Sequence, residues 1–237
     1  MSFSTPLHVL WENWPWWLAG VLAGILLVPL ARVIPHKVLH FAQAPLHEWQ
    51  GPGGGLERPG PPSRRFWVPL LNAGLWAWVA SSANHPAFWA VLLEAGLAST
   101  LVLLALIDWD TTMLPDMVVL PLGAAGLFSS YAGLTKHSLF AGAASAALVL
   151  ALLGGLAWLF QRFRGGSSIG GGDLKLLAAL AAWWGLVGVL YIVFWASVVT
   201  VIWNLVWRRF KAFSPEAEWP FGPAIVVAAL AWGLWAG

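Results

Sequence analysis

Two stretches of this chain gather the residues that could do chemistry. One is Gly165-Gly-Ser-Ser-Ile-Gly-Gly-Gly-Asp-Leu-Lys175, a polar, glycine-rich loop between two long hydrophobic runs, with Asp173 at the threshold of the second. The other is Ile107-Asp-Trp-Asp-Thr-Thr-Met-Leu-Pro-Asp116, which places Asp108, Asp110 and Asp116 just beyond another apolar run. A carboxylate beside hydrocarbon costs several kcal/mol unless it is solvated, paired or used, so each is a site candidate. The three glycines before Asp173 let backbone approach it where a side chain would obstruct. Two carboxylates close enough to share a proton do not both ionise readily. One stays neutral as general acid while the other, as base, activates a water. Such a pair titrates as a unit. Helix ends suggest Asp173 as the base, because it opens a helix with Lys175 nearby, and Asp108 as the acid, because it closes one. The plainer alternative is a set of solvated loop charges and helix caps. That alternative suits Asp110, placed mid-loop, and Asp116, which follows Pro115 and precedes a helix. Lys175 either snorkels to the interface or tunes Asp173.

Positioning such a pair falls to a membrane scaffold. The chain is 59% hydrophobic and 9% charged, against about 25% charged residues in a soluble domain. It is expected to be an all-α integral membrane protein in contact with the lipid bilayer. A formal charge of +2 is too small to suggest nucleic acid as a partner. The absence of cysteine removes disulfides, thiolate metal sites and a cysteine nucleophile, and no Ser, His and Asp set suggests a triad. Trp11, Trp14, Trp16 and Trp17 form an aromatic anchor ahead of the first span. Spans are expected at about Trp17 to Ile34, Phe66 to Ala83, Ala87 to Ile107, Met117 to Leu134 and Ser138 to Gln161. The apolar stretch from Leu174 to Trp207 would be about 50 Å long as one straight helix. It is therefore expected to fold into two spans turning near Gly185 to Gly188. A last span from Phe221 to Ala236, preceded by the chain-breaking Pro220, Gly222 and Pro223, gives about eight in all. Glu94 lies inside the third span, where pairing with a buried Ser or Thr is the expectation.

Between the first two spans, Pro35 to Arg65 carries Gly51-Pro-Gly-Gly-Gly55 and Pro59-Gly-Pro-Pro62. It reads as an extramembrane loop, partly disordered at its centre. With that loop in the cytoplasm, all 12 Lys and Arg except Lys136 fall on the inner side, and both termini fall outside. Asp108, Asp110, Asp116 and Asp173 then converge on the cytoplasmic face.

At this point a family resemblance is specific. The Asp108 segment, Gly170-Gly-Gly-Asp-Leu-Lys-Leu176 and Trp219-Pro-Phe-Gly-Pro223 resemble the three signature segments of the prepilin peptidases. These form the type IV leader peptidase family of Gly-x-Gly-Asp intramembrane aspartic proteases. The resemblance runs from about Glu94 to the C-terminus and implies Asp108 and Asp173 as catalytic aspartates, with Gly170 and Gly172 completing the motif. It further implies cleavage of the basic leader of type IV prepilins or type II secretion pseudopilins, at the cytoplasmic face of the bacterial inner membrane. Residues 1–65 would then be a first helix plus cytoplasmic loop, and residues 66–237 the membrane-embedded peptidase domain.

The N-terminal part departs from the family pattern. Many members carry two Cys-x-x-Cys pairs thought to hold zinc, and methylate the new N-terminus with S-adenosylmethionine. Here the loop has no cysteine, so zinc by that route is excluded. No metal is required for the peptidase, and S-adenosylmethionine is needed only if methyl transfer is retained. His36, His40 and His47 are expected to bind none. Asp110, Asp116, Glu216 and Glu218 are candidates to receive the leader's basic residues. A proton-coupled transporter, with midplane carboxylates and an inverted repeat, and an inactive assembly subunit are the rival readings.

Overall fold

The computed structural model describes residues 13–82, 88–164, 170–210 and 220–236. Trp11, the glycines before Gly170, Glu216, Glu218 and Trp219 lie outside the described residues. Among those described, the chain is all-helical. It comprises α1 (Trp14–Phe41), α2 (Arg64–Ser82), α3 (Phe88–Thr111), α4 (Asp116–Tyr131), α5 (Leu139–Arg164), α6 (Gly171–Phe210) and α7 (Gly222–Ala236), with a 3-10 turn at Leu46–Glu48 between α1 and α2. Four helices, α1, α3, α5 and α6, are long and apolar enough to cross a membrane, and α4 and α7 are shorter apolar helices. The count of about eight crossings is thus not reached on length and composition alone. Large apolar side chains face outward along α1 (Leu18, Leu22, Ile25) and α5 (Leu148, Leu152, Leu156), as expected where hydrocarbon rather than water is the surrounding solvent.

α6 is the element whose length forced an expectation about its shape. Gly185 has φ 69° and ψ −177° inside it, a backbone conformation open to glycine and not to helical residues. The arm before Gly185 starts at Gly171 and carries Asp173 in its first turn. In the arm beyond it, Trp203 packs edge-on against Trp109 with ring centroids 6.2 Å apart. Trp109 follows Asp108, so the second arm has come back to the end from which the first set out. The expected turn is therefore present, at Gly185.

Two clusters hold the bundle together. In the first, α1, α2 and α3 meet through Leu27, Ala31, Val68, Leu75, Val102 and Ile107. Gly20 and Gly24 let α2 approach closely, since a Cβ on them would fall 2.7 Å from the Cα of Ala73 and 2.5 Å from that of Pro69. With no hydrophobic drive between helices in lipid, such close packing and polar cross-links do the joining. The cross-links centre on Asn72, which donates to the Gly20 carbonyl at 2.8 Å and accepts from Ser99 Oγ at 2.9 Å. Trp76 Nε1 donates to the same Ser99 Oγ. In the second cluster, α3, α4, α6 and α7 bury Leu101, Leu122, Leu176, Leu180, Ile192 and Ile225, and Trp183 Nε1 reaches the Leu122 carbonyl at 2.9 Å.

The segment from Pro35 to Arg65 corrects the sequence reading. α1 runs through Pro35 to Phe41, and the glycine-rich centre is not loose among the described residues. Gly51, Gly53 and Gly55 donate their amides to α3 carbonyls. The composition suggested disorder because the acceptors lie more than fifty residues further along the chain.

One end of the bundle collects the close of α3 and the starts of α2, α4, α6 and α7. At the other, Trp16 lies tilted against Trp76 and Phe88, and Gly185 lies beside His137. The first described turn of α1 and the last of α7 both lie at this second end.

Candidate active site

The close of α3 carries the first carboxylate. Thr111 Oγ1 donates back to the Ile107 carbonyl at 2.8 Å. Thr112 then adopts φ 51°, and its amide reaches the Asp108 carbonyl at 2.8 Å, a left-handed residue ending the helix in the usual C-terminal manner. Asp108 is 4% exposed. Its Oδ2 accepts the Gly222 amide at 3.0 Å. That donor belongs to the first turn of α7, whose unsatisfied amides carry a partial positive charge suited to a carboxylate. A Cβ on Gly222 would sit 2.5 Å from Asp108 Oδ2, so this contact requires glycine. The sequence had treated Gly222 as part of a chain break. The signal for its role was the glycine followed by Pro223 at a helix start.

The second carboxylate, Asp173, is half-buried in the first turn of α6 and stands within Coulombic reach of Asp108. Gly170 lies against it, where a Cβ would come 3.0 Å from Asp173 Oδ2. Gly172 backs onto Leu114, two residues before Asp116. Lys175 Nζ then binds both Asp116 oxygens at 2.8 and 2.7 Å. Lys175 thus ties the starts of α4 and α6 together, its ammonium engaged by Asp116.

Asp110 is placed differently from the expectation. It is not a solvated loop charge but lies in the last turn of α3 with zero exposure. Arg64 grips it with two hydrogen bonds of 2.6 and 2.7 Å, and Arg32 stands 3.7 Å away. Enclosed in this way, Asp110 is not available to a substrate's basic residues. Asp116 is the first residue of α4, with Pro115 rather than Asp116 at the cap position. The helix-end argument that made Asp108 the acid also loses its premise. Asp108 sits between the close of α3 and the start of α7, so dipoles do not separate its role from that of Asp173. Among the described residues, no three His, Asp or Glu side chains gather as metal ligands.

Comparison with known proteins gives the family. Residues 95–205 match the model of the type IV leader peptidase family. A prepilin leader peptidase/N-methyltransferase of Burkholderia pseudomallei is 40% identical over 144 residues, 60% of this chain and 46% of that protein. One from Aeromonas salmonicida is 34% identical over 171 residues, 70% of this chain and 57% of the relative. One from Aeromonas hydrophila is 32% identical over 207 residues, covering 84% of this chain and 69% of the relative. The chain belongs to the type IV leader peptidase family. It spans about half the length of the first of these relatives. No solved structure matches it. Within the family model's limits of 95–205 lie both Asp108 and Asp173, whereas Gly222 and the Arg64 that holds Asp110 lie outside them.

Proposed function

We propose that this chain is a membrane aspartic endopeptidase that removes the basic leader from type IV prepilins or type II secretion pseudopilins. Asp108 and Asp173 are its catalytic pair, acting at the cytoplasmic face of a bacterial inner membrane with both termini on the periplasmic side. The observation that carries this reading is the meeting of three separated segments at one end of the bundle. Asp108 closes α3, Asp173 opens α6 within reach of its charge, and the Gly222 amide of α7 binds Asp108. The basic residues Arg32, Arg64 and Lys175 cluster at this same end, which supports its cytoplasmic placement.

In the reaction, one ionised aspartate takes a proton from a water, whose oxygen adds to the scissile carbonyl. The other aspartate, protonated, gives its proton to the carbonyl oxygen. Collapse of the resulting diol breaks the C–N bond, with a proton passing to the leaving amine. Of the four leader-receiving candidates, Asp116 remains among the described residues. It is 53% exposed and paired with a Lys175 that is 44% exposed, a solvent-facing pair worth about 0–1 kcal/mol. A leader lysine or arginine can displace such a partner at little cost. Glu216 and Glu218 stay candidates on sequence grounds.

The relatives are named as methyltransferases too. S-adenosylmethionine carries a sulfonium cation. A 320 Å³ cavity beside α1 is lined by Arg32 and Lys37, whose charges would repel that cation, and by His36. A 360 Å³ cavity lined by Glu94, His137, Trp183 and Trp232 is at the end of the bundle away from Asp108. Methyl transfer to the new N-terminus, with S-adenosylmethionine as donor, stays part of the proposal, and the assay reads it separately from cleavage.

The test is cleavage of a prepilin by the purified protein in detergent, with and without S-adenosylmethionine, for wild type, Asp108→Asn and Asp173→Asn. Each substitution is expected to lower kcat by roughly a thousandfold or more while the fold is retained. Unchanged turnover in either variant would move the chemistry to another carboxylate.

A further inference from the structure

We infer that the glycine loop of residues 51–55, locked by Arg64, Arg32 and Asp110, is a positioning element for Asp108. The inference rests on the reading of Asp108 as a catalytic group. The last carbonyls of an α-helix have no donors of their own and need partners from elsewhere. At the close of α3 those partners come from the loop. The Gly53 amide donates to the Trp109 carbonyl at 2.9 Å, and the amides of Gly51 and Gly55 both donate to the Asp110 carbonyl, at 2.8 and 3.1 Å. Three amides from a distant segment therefore cap the helix turn that carries Asp108.

The side chains make the cap a single unit. Asp110, with zero exposure, holds Arg64 through two hydrogen bonds. Arg32, 3.7 Å from the same carboxylate, donates to the carbonyls of Leu56 and Arg58 on the far side of the loop. Gly53 lies so close to Asp110 that a Cβ would overlap Asp110 Oδ1. Only glycine allows amide and carboxylate to share this space.

The location argues for positioning beyond support of the fold. The body of α3, from Ala95 to Ile107, is buried in both hydrophobic clusters or against them, so it stays put whether or not the loop is docked. On the loop side, the last turn is held by the three glycine amides and by Arg64. Loosening the cap lets that turn move, and with it the Asp108 carboxylate relative to Asp173 and the Gly222 amide. A displacement of about 1 Å at a reacting group can cost 100-fold in rate.

The experiment measures prepilin cleavage by the full chain carrying Gly53→Ala, Arg64→Lys, both together, or Glu57→Ala as an exposed control in the same segment. Arg64→Lys keeps the charge but loses the two-pronged grip, which avoids leaving Asp110 buried without a cation. The expected result is a fall in kcat of about 10- to 100-fold for each single variant, with KM within about twofold and Glu57→Ala at the wild-type rate. The double variant should be no slower than the slower single one, because both break one unit. Hydrogen exchange should quicken at residues 109–112 while 95–107 stay protected. Wild-type kcat in both single variants, or a loss confined to KM, would overturn the inference. Losses that multiply in the double variant would also overturn it. Asp108→Asn, run in parallel, separates the two readings. If it is inactive while Gly53→Ala and Arg64→Lys turn over normally, only the positioning role falls. If Asp108→Asn still cleaves, the catalytic assignment falls and takes the positioning role with it.

Discussion

Asp108 is held from two directions, by the α3 backbone that carries it and by the Gly222 amide that approaches its Oδ2 at 3.0 Å. Gly222→Ala places a methyl 2.5 Å from that oxygen, so α7 or the carboxylate must shift. The expected outcome is a fall in prepilin-cleavage kcat of about 10- to 100-fold. The folded fraction should change little, because the core residues of α7, Ala224, Ile225, Val226, Ala228 and Ala229, make their apolar packing beyond Gly222. Wild-type turnover in purified Gly222→Ala would show that the contact does not matter. Lys175→Gln should cost about 0–1 kcal/mol in thermal unfolding, the ordinary worth of an exposed pair. By freeing Asp116, it should also change the relative cleavage of leaders with different basic charge, and identical preference to wild type would remove Asp116 from leader recognition. The sequence pointed to Asp108 and Asp173 because each stands at the edge of an apolar run in a distinctive motif. It misplaced Asp110, since the counter-charge that buries it, Arg64, stands at the start of α2 and is separated from it by the whole of α2 and nearly all of α3. Burial of that kind depends on tertiary contact, which local pattern does not carry.

Among the elements, α6 shows how far length alone can reach. An apolar stretch too long for one crossing had to bend, and glycines marked the place. At Gly185 the backbone takes φ 69° and ψ −177°, a region essentially confined to glycine and costing other residues on the order of 1–3 kcal/mol. A Cβ there would lie 3.4 Å from the His137 ring, an ordinary contact, so the penalty for Gly185→Ala is backbone strain rather than a clash. The expected result is destabilisation by about 1–3 kcal/mol, read as a lower midpoint of thermal unfolding in detergent. An unchanged midpoint would mean that the turn relaxes to a helical conformation at no cost. The loop between α1 and α2 was not legible in the same way. Its glycines and prolines carry no apolar period, and what orders them is a set of amide bonds to α3, a partner with which they share no local signal. α1 likewise continues through Pro29 and Pro35, because buried packing of Pro35 and Leu39 outweighs the hydrogen bond each proline removes.

At the scale of the whole molecule, the aspartates, the docked loop and the arginines lie at one end, and the α4 to α5 turn and Gly185 lie at the other. On the proposed reading the first end, where Lys and Arg gather, faces the cytoplasm, and because the chain has no cysteine, a single introduced thiol can report on each end separately. Ala132 ends α4 at the far side and Ser63 precedes α2 beside the docked loop; both are exposed. In intact spheroplasts, Ala132→Cys should react with a membrane-impermeant maleimide and Ser63→Cys should not. In inverted vesicles the pattern should reverse. The reverse result in spheroplasts would put Asp108 and Asp173 on the periplasmic face, out of reach of a leader that has not yet crossed the membrane. Labelling of both thiols from one side would mean that the two ends are not separated by the bilayer. The orientation thus decides more than topology. If the proposed substrate is right, a basic leader is held back on the cytoplasmic side by its charge, so the carboxylate pair can meet it only if the arginine-rich end faces inward.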